Sequence, residues 1–219
     1  MDESVRECLT ADGELRRSLD TLIRYGSYER GDFRPGHGDL DFFAVFDTDP
    51  PADVLERLEE VLRESTSEID HRGIDLAWEH ETNLGQPDAG VRFKFLYVYQ
   101  FDFRRHHTVV LGDFPTIPRR EFREALPGRL DRIDQLVTDA GDEGLRILAG
   151  EVARLRALCA GADSLRKQDV AETLTDTEHS KARRVYEAYL EDEVAPYTTE
   201  ELRRFVSRET EALRSDVNG

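Results

Sequence analysis

The stretch from Tyr25 to Asp47, YGSYERGDFRPGHGDLDFFAVFD, constrains this chain more than any other. Leu40 and the run Phe42, Phe43, Ala44, Val45 and Phe46 form the buried body of a strand, and Asp39 and Asp41 stand at its mouth on a rigid element. Strand side chains alternate between faces, so residues two apart point the same way, with Cα atoms on the order of 7 Å apart. Both carboxylates therefore face one space. Just upstream, Gly26-Ser27 reads as a tight turn that brings backbone N–H groups and a hydroxyl against a phosphate, a close approach that requires a residue without Cβ. Paired acids on a strand beside such a turn are a plan for holding divalent metal over a nucleoside triphosphate.

In chain order, residues 4 to 24 read as a helix, with Val5, Leu9, Leu15, Leu19, Leu22 and Ile23 on an imperfect apolar face. After the aspartate strand, Asp49-Pro50-Pro51 signals a helix start, followed by Val54, Leu55, Leu58, Val61 and Leu62 at helical spacing. A second core strand is expected over 68–79, where Ile74, Leu76 and Trp78 alternate with Asp75 and Ala77; Asp75 is a third acid within it. A loop with Asn83, Gly85, Pro87 and Gly90 leads to a third long strand, expected over 91–103 from its density of aromatic residues. A shorter apolar run, Thr108 to Leu111, ends at Gly112, and turn formers up to Pro118 place a domain boundary there, between 1–115 and 116–219. Downstream, 143–160 and 181–190 carry helical periodicity, and Thr198 with Glu201 is a capping box opening a last helix. The expected fold class is α+β: a small mixed sheet with helices, then a C-terminal helical bundle.

Charge narrows the partners. The net charge of -17, with 47 acidic against 30 basic residues, excludes a protein that coats long nucleic acid, which needs surplus Lys and Arg to displace counterions. Lysine occurs only at Lys94, Lys167 and Lys181, every other basic residue being arginine. Acid-rich, lysine-poor surfaces suit a halophile, where salt screens self-repulsion and carboxylates keep water at the surface. Cys8 and Cys159 lie far apart without metal-ligand spacing, and no apolar run approaches a membrane span, so a reducing, cytoplasmic location is expected.

Gly26-Ser27, then Asp39-Leu40-Asp41, then Asp75 resembles the signature of the DNA polymerase beta-type nucleotidyltransferase superfamily. In that family the paired aspartates bind divalent metal and the third acid lies beside them. The family often has a serine before the pair, where this chain has Gly38. HHTVVLGDF, LRALCAGADSLRKQDVAETL and ARRVYEAYLEDE are similar, in order and spacing, to parts of the aminoglycoside adenylyltransferases that modify streptomycin and spectinomycin. The resemblance implies an enzyme that moves AMP from ATP to a hydroxyl, with two Mg²⁺ ions and a helical domain that closes over nucleotide and drug.

On this reading Asp39 and Asp41 are metal ligands, and Asp75 is either the base that takes the acceptor's proton or a third ligand. Gly26 and Ser27 bind the β/γ-phosphates. Arg30 reaches phosphate across the turn or sits in a surface salt bridge. By the resemblance, Lys167 contacts the triphosphate; otherwise it is a solvated helix residue. Arg156 stands where the resembling enzymes have a drug-stacking aromatic residue, and it would repel a cationic drug if it faced it. The acceptor is a small hydroxylated molecule, with aminoglycoside as the leading candidate. The alternative is an antitoxin-like or regulatory nucleotidyltransferase that adenylylates or binds a partner protein.

The acid surplus generates a first prediction. At 0.01 M salt the Debye length is roughly 30 Å and carboxylates repel across the surface, so the melting temperature should climb steeply as KCl rises into the molar range. Scanning fluorimetry across that titration checks it, and a flat profile would contradict the halophilic reading.

Overall fold

The computed structural model describes residues 2–86, 92–175, 179–191 and 197–218. Pro87, Gly90 and Val91 of the expected loop and strand, and Asp192 and Glu193 at the end of ARRVYEAYLEDE, lie outside the described residues. The chain divides into two compact units, 1–120 and 121–219.

The first unit opens with helix α1 (Asp2–Ala11) and the single turn α2 (Leu15–Ser18), then enters strand β1 (Leu19–Tyr25). The helix expected to run to Arg24 thus ends early. The cause is burial on both faces of β1: Leu22 and Ile23 are each fully buried, on opposite sides of the sheet, so no polar alternation marks the strand in the sequence. After a one-turn helix α3 (Ser27–Arg30) come β2 (Leu40–Phe46), α4 (Ala52–Ser65), β3 (Ile74–His80) and β4 (Thr108–Leu111). The strand order is β3-β2-β1-β4. β1 is antiparallel to both β2 and β4, whereas β2 and β3 are parallel, joined by α4 as the crossover.

Alternation along β2 sorts its side chains between two cores. Leu40, Phe42, Ala44 and Phe46 pack with Val5 and Leu9 of α1 and with Val54, Leu58 and Leu62 of α4. Phe43 and Val45 face the other way, among Ile23, Phe95, Leu96 and Phe103. Here the expected third strand is corrected. Lys94–Leu96 is a 3-10 turn and Gln100–Arg105 is a helix, α5. Strand propensity records how well aromatic residues fit a half-buried surface, and these satisfy it by packing under the sheet rather than by joining it. The Phe43 ring lies 5.1 Å from Phe95, 5.9 Å from Phe93 and 6.3 Å from Phe103. The buried Gln100 amide holds the segment down, donating to the carbonyls of Leu96 and Pro118.

The second unit is helical: α6 (Phe122–Asp139), α7 (Asp142–Cys159), α8 (Lys167–Thr173), α9 (Ser180–Glu191) and α10 (Thr199–Asn218). α7 packs against each of the other four and is buried nearly all round, as befits a central helix. At Gly150 a Cβ would lie 2.5 Å from the Tyr189 ring of α9, so the ring occupies that space. The Arg129 fork on Glu151, at 2.6 and 2.8 Å, ties α6 to α7 in the interior. The capping box forms as expected: Thr198 N–H donates to Glu201 Oε2 at 2.8 Å and Glu201 N–H to Thr198 Oγ1 at 3.3 Å. Among the described residues no helix is long and apolar enough to cross a membrane.

The aromatic cluster should dominate the stability of the first unit. Phe43→Ala is expected to cost about 3–5 kcal/mol, the range for deleting a fully buried ring, and Phe114→Ala, at the partly buried margin of the cluster, less than half of that. Urea unfolding of the two variants measures the contrast.

Candidate active site

β2 and β3 run in register, so Asp41 lies opposite Asp75 and Phe43 opposite Ala77. In-register neighbours project to the same side, which puts the two carboxylates side by side on the face that carries Phe43. From the other flank β1 brings Tyr25 opposite Asp41. Tyr25, Asp41 and Asp75 thus form a row across three strands at one end of the sheet. The residue after Tyr25 is Gly26, with φ of 79°, and a Cβ there would lie 2.0 Å from Asp41 Oδ2. The Asp41 carboxylate therefore rests on the Gly-Ser turn, and both the backbone angle and the space admit only glycine. Ser27 starts α3, where Arg30 N–H donates to Gly26 O and Asp32 N–H to Ser27 O, each at 3.1 Å.

The charge in this row is poorly offset. Burial pushes the Asp41 carboxyl up to about 7; the neighbouring Asp75 charge adds to that, the Arg30 and Lys94 cations oppose it, and Asp39 adds a little more. Asp75 is also raised by burial, with Lys94 opposing and Asp39 reinforcing. The Tyr25 phenol is raised by burial and then by the charges of Asp41 and Asp75. Two carboxylates that resist ionisation next to each other, resting on the Gly-Ser turn, form a place where a cation is favoured. Among the described residues no group of three His, Cys, Asp or Glu side chains gathers closely enough to hold a metal ion. Mg²⁺ takes only one or two carboxylates and completes its shell with water and substrate phosphates. The Asp41–Asp75 pair fits that requirement.

Asp39, expected as a metal ligand with Asp41, is paired with an arginine. Arg72 donates to it through both arms of its fork, Nε to Oδ1 at 3.2 Å and Nη2 to Oδ2 at 2.6 Å. The pairing follows from the backbone. The loops preceding β2 and β3 are clamped by Gly36 N–H to Asp70 O at 2.7 Å, Arg72 N–H to Gly38 O at 2.9 Å and Leu40 N–H to Gly73 O at 3.0 Å. At Gly38 a Cβ would lie 2.7 Å from the Phe33 ring, so the serine common in the resembling family does not fit here.

Gly26, Ser27, Asp39, Asp41 and Asp75 surround one end of the sheet. Arg30 acts on Asp41 through its charge while pairing with Asp102 at 3.0 Å and Asp32 at 3.3 Å. Lys167 belongs to the second unit, as the first residue of α8. Arg156 is buried in that unit and paired with Glu209 and Asp216. Sequence reasoning missed Lys94 and Arg72. Lys94 carried a faint signal as the one lysine before Lys167; Arg72 carried none, because strand register alone brings it to Asp39.

Residues 6–100 match the family described as nucleotidyltransferase domain. The chain is also similar in fold to a crystal structure of spectinomycin adenyltransferase AAD(9) from Enterococcus faecialis with ATP and spectinomycin. That match has a TM-score of 0.64 at 16% identity and covers 97% of each chain. Comparison with curated protein sequences gives no match.

Since Asp41 holds its proton more tightly folded than unfolded, its ionisation opposes folding. Its contribution is most favourable below the ordinary carboxylate value of 3.8 and is lost as pH rises through about 7. Asp41→Asn removes that loss. At pH 8 it should raise the melting temperature by several degrees, at about 2–4 °C per kcal/mol for a chain of this size, with the advantage shrinking toward pH 4. Millimolar Mg²⁺ should raise the melting temperature of the natural chain and not that of the variant.

Proposed function

We propose, from the premise that residues 6–100 are a nucleotidyltransferase domain, that this enzyme moves AMP from ATP to a hydroxyl of a small molecule, with Mg²⁺ as cofactor and an aminoglycoside as acceptor. The observation that carries the proposal is the in-register Asp41–Asp75 pair resting on Gly26. Gly26 and Ser27 take the β/γ-phosphates through peptide N–H groups and the hydroxyl, Arg30 reaches them across the turn, and Lys167 supplies a further cation. Asp39 and Asp41 hold the metal. Bound there, Mg²⁺ supplies positive charge against the oxygens on which charge develops as pyrophosphate leaves.

Asp75 then takes the proton of the acceptor hydroxyl. The hydroxyl oxygen forms its bond to the α-phosphorus, and the bond from that phosphorus to the bridging oxygen of pyrophosphate breaks with the electron pair leaving on pyrophosphate. Burial favours the protonated form of Asp75, which suits a general base because its affinity for the proton is raised toward the working pH. As a third metal ligand it would instead share the load of Asp39 and Asp41.

The net charge of -17 draws a polycation toward the protein and repels nucleic acid. Arg156, which would oppose a cationic acceptor, has its charge met by Glu209 and Asp216. The AAD(9) structure holds ATP and spectinomycin, which supports the choice of donor and acceptor. The same surface fits a halophile's cytoplasm.

Mass spectrometry of streptomycin and spectinomycin after incubation with enzyme, ATP and Mg²⁺ in molar KCl is expected to show an added AMP. Asp75→Asn should lower the rate by about 10²–10⁴ with no loss of melting temperature, and Asp41→Asn should abolish turnover. No adduct on either drug rejects the acceptor. AMP on a co-purifying protein selects the protein acceptor instead, and absence of any Mg²⁺-dependent release of pyrophosphate rejects nucleotidyl transfer.

A further inference from the structure

Among the acids of the site, Asp41 and Asp75 accept no hydrogen bond from any described side chain, while Asp39 has both oxygens taken by one guanidinium. We propose that Arg72 is a latch on the cation site: it holds Asp39 away from ligation until a divalent cation arrives to displace its fork. The inference rests on the reading of Asp39 as a metal ligand.

Three observations carry it. The first is geometry. Both N···O distances, 2.6 and 3.2 Å, belong to a fork-on-carboxylate pair, which sets a guanidinium charge against the carboxylate a cation would use, so the two cations compete for Asp39. The second is exposure. The side chains are 53% and 31% exposed for Arg72 and Asp39, so the pair is cheap to break, as exposed ion pairs are; a buried pair would be a permanent strut. The third is placement. Arg72 does not reach Asp39 by chance of rotamer, because its own N–H is bonded to Gly38 O, directly before Asp39, and Gly73 O accepts from Leu40 N–H directly after it. The same backbone ladder that starts the parallel pairing of β2 and β3 carries the latch.

The consequence for the site is a division of labour among its acids. Asp41 and Asp75 are brought together by strand register and form the fixed part of the site. Asp39 completes the ligand set once Arg72 lets go. Lowering the hold of Arg72 should therefore tighten cation binding, whereas a purely structural arginine would leave it unchanged or weaken it.

Mn²⁺ binding followed by electron paramagnetic resonance, without nucleotide and at constant salt, tests this. Arg72→Gln should tighten Mn²⁺ by about two- to fivefold, the affinity equivalent of an exposed ion pair. Arg72→Lys keeps the charge but loses the fork, and should tighten it part of the way. In an Asp39→Asn background, Arg72→Gln should have no effect. Unchanged or weaker Mn²⁺ binding in Arg72→Gln overturns the latch. So does Arg72→Lys matching the natural chain, or a gain that survives Asp39→Asn, since either would mean that charge alone acts at a distance. Failure of the natural chain and all variants to bind Mn²⁺ overturns the metal reading itself, and the latch with it.

Discussion

The parallel pairing of β2 with β3 is the constraint on which the rest of the first unit depends. It sets Asp41 against Asp75, two like charges that burial makes more costly, and the arrangement persists because the strands are held from both sides. Below the acids, Phe43 is locked among Phe93, Phe95 and Phe103; behind them, Phe42 and Leu40 are sealed under α1 and α4. A slip of one residue would send Asp41 into the core behind the sheet and Phe42 into the site, so the hydrophobic faces fix the register that the acids by themselves would oppose. Stability is built into the apolar positions and given up at the acidic ones, which is the usual balance at a site prepared for a cation.

Arginine has a second part beside solubility. Arg24 lies in the interior, paired with Asp2 and Glu29 and stacked over the Tyr28 ring at 4.9 Å. Arg129 with Glu151 and Arg156 with Glu209 do the same in the second unit. Each of these needs a planar fork that answers two oxygens at once, which an ammonium group does not provide. Losing one partner of such a pair leaves a buried charge, a loss on the order of 3–5 kcal/mol. The preference for arginine is thus partly a matter of interior pairing, and the acid surplus that remains outside defines the field around the protein.

The site unites elements with different tolerances. Gly26 admits no side chain because Asp41 occupies its space, so the Gly-Ser turn and the acid strand pack as one piece. Arg30 hangs from that piece between Asp41, Asp32 and Asp102, and the half-exposed Arg72 is held on Asp39.

The sequence by itself determined the turn at Gly26-Ser27, the paired acids at the mouth of β2, the third acid on β3 and the helical second half with its Thr198–Glu201 cap. These are local patterns, and local geometry enforces them: a side chain's face in a strand and a cap's hydrogen bonds depend on near neighbours only. The tertiary structure decided what depends on distant partners. Leu19–Tyr25 became a strand because both its faces are covered, and the aromatic segment 92–105 became a 3-10 turn and a helix because its rings found a core without joining the sheet. Strand register, which no single segment encodes, chose Asp75 as the partner of Asp41 and set Arg72 upon Asp39.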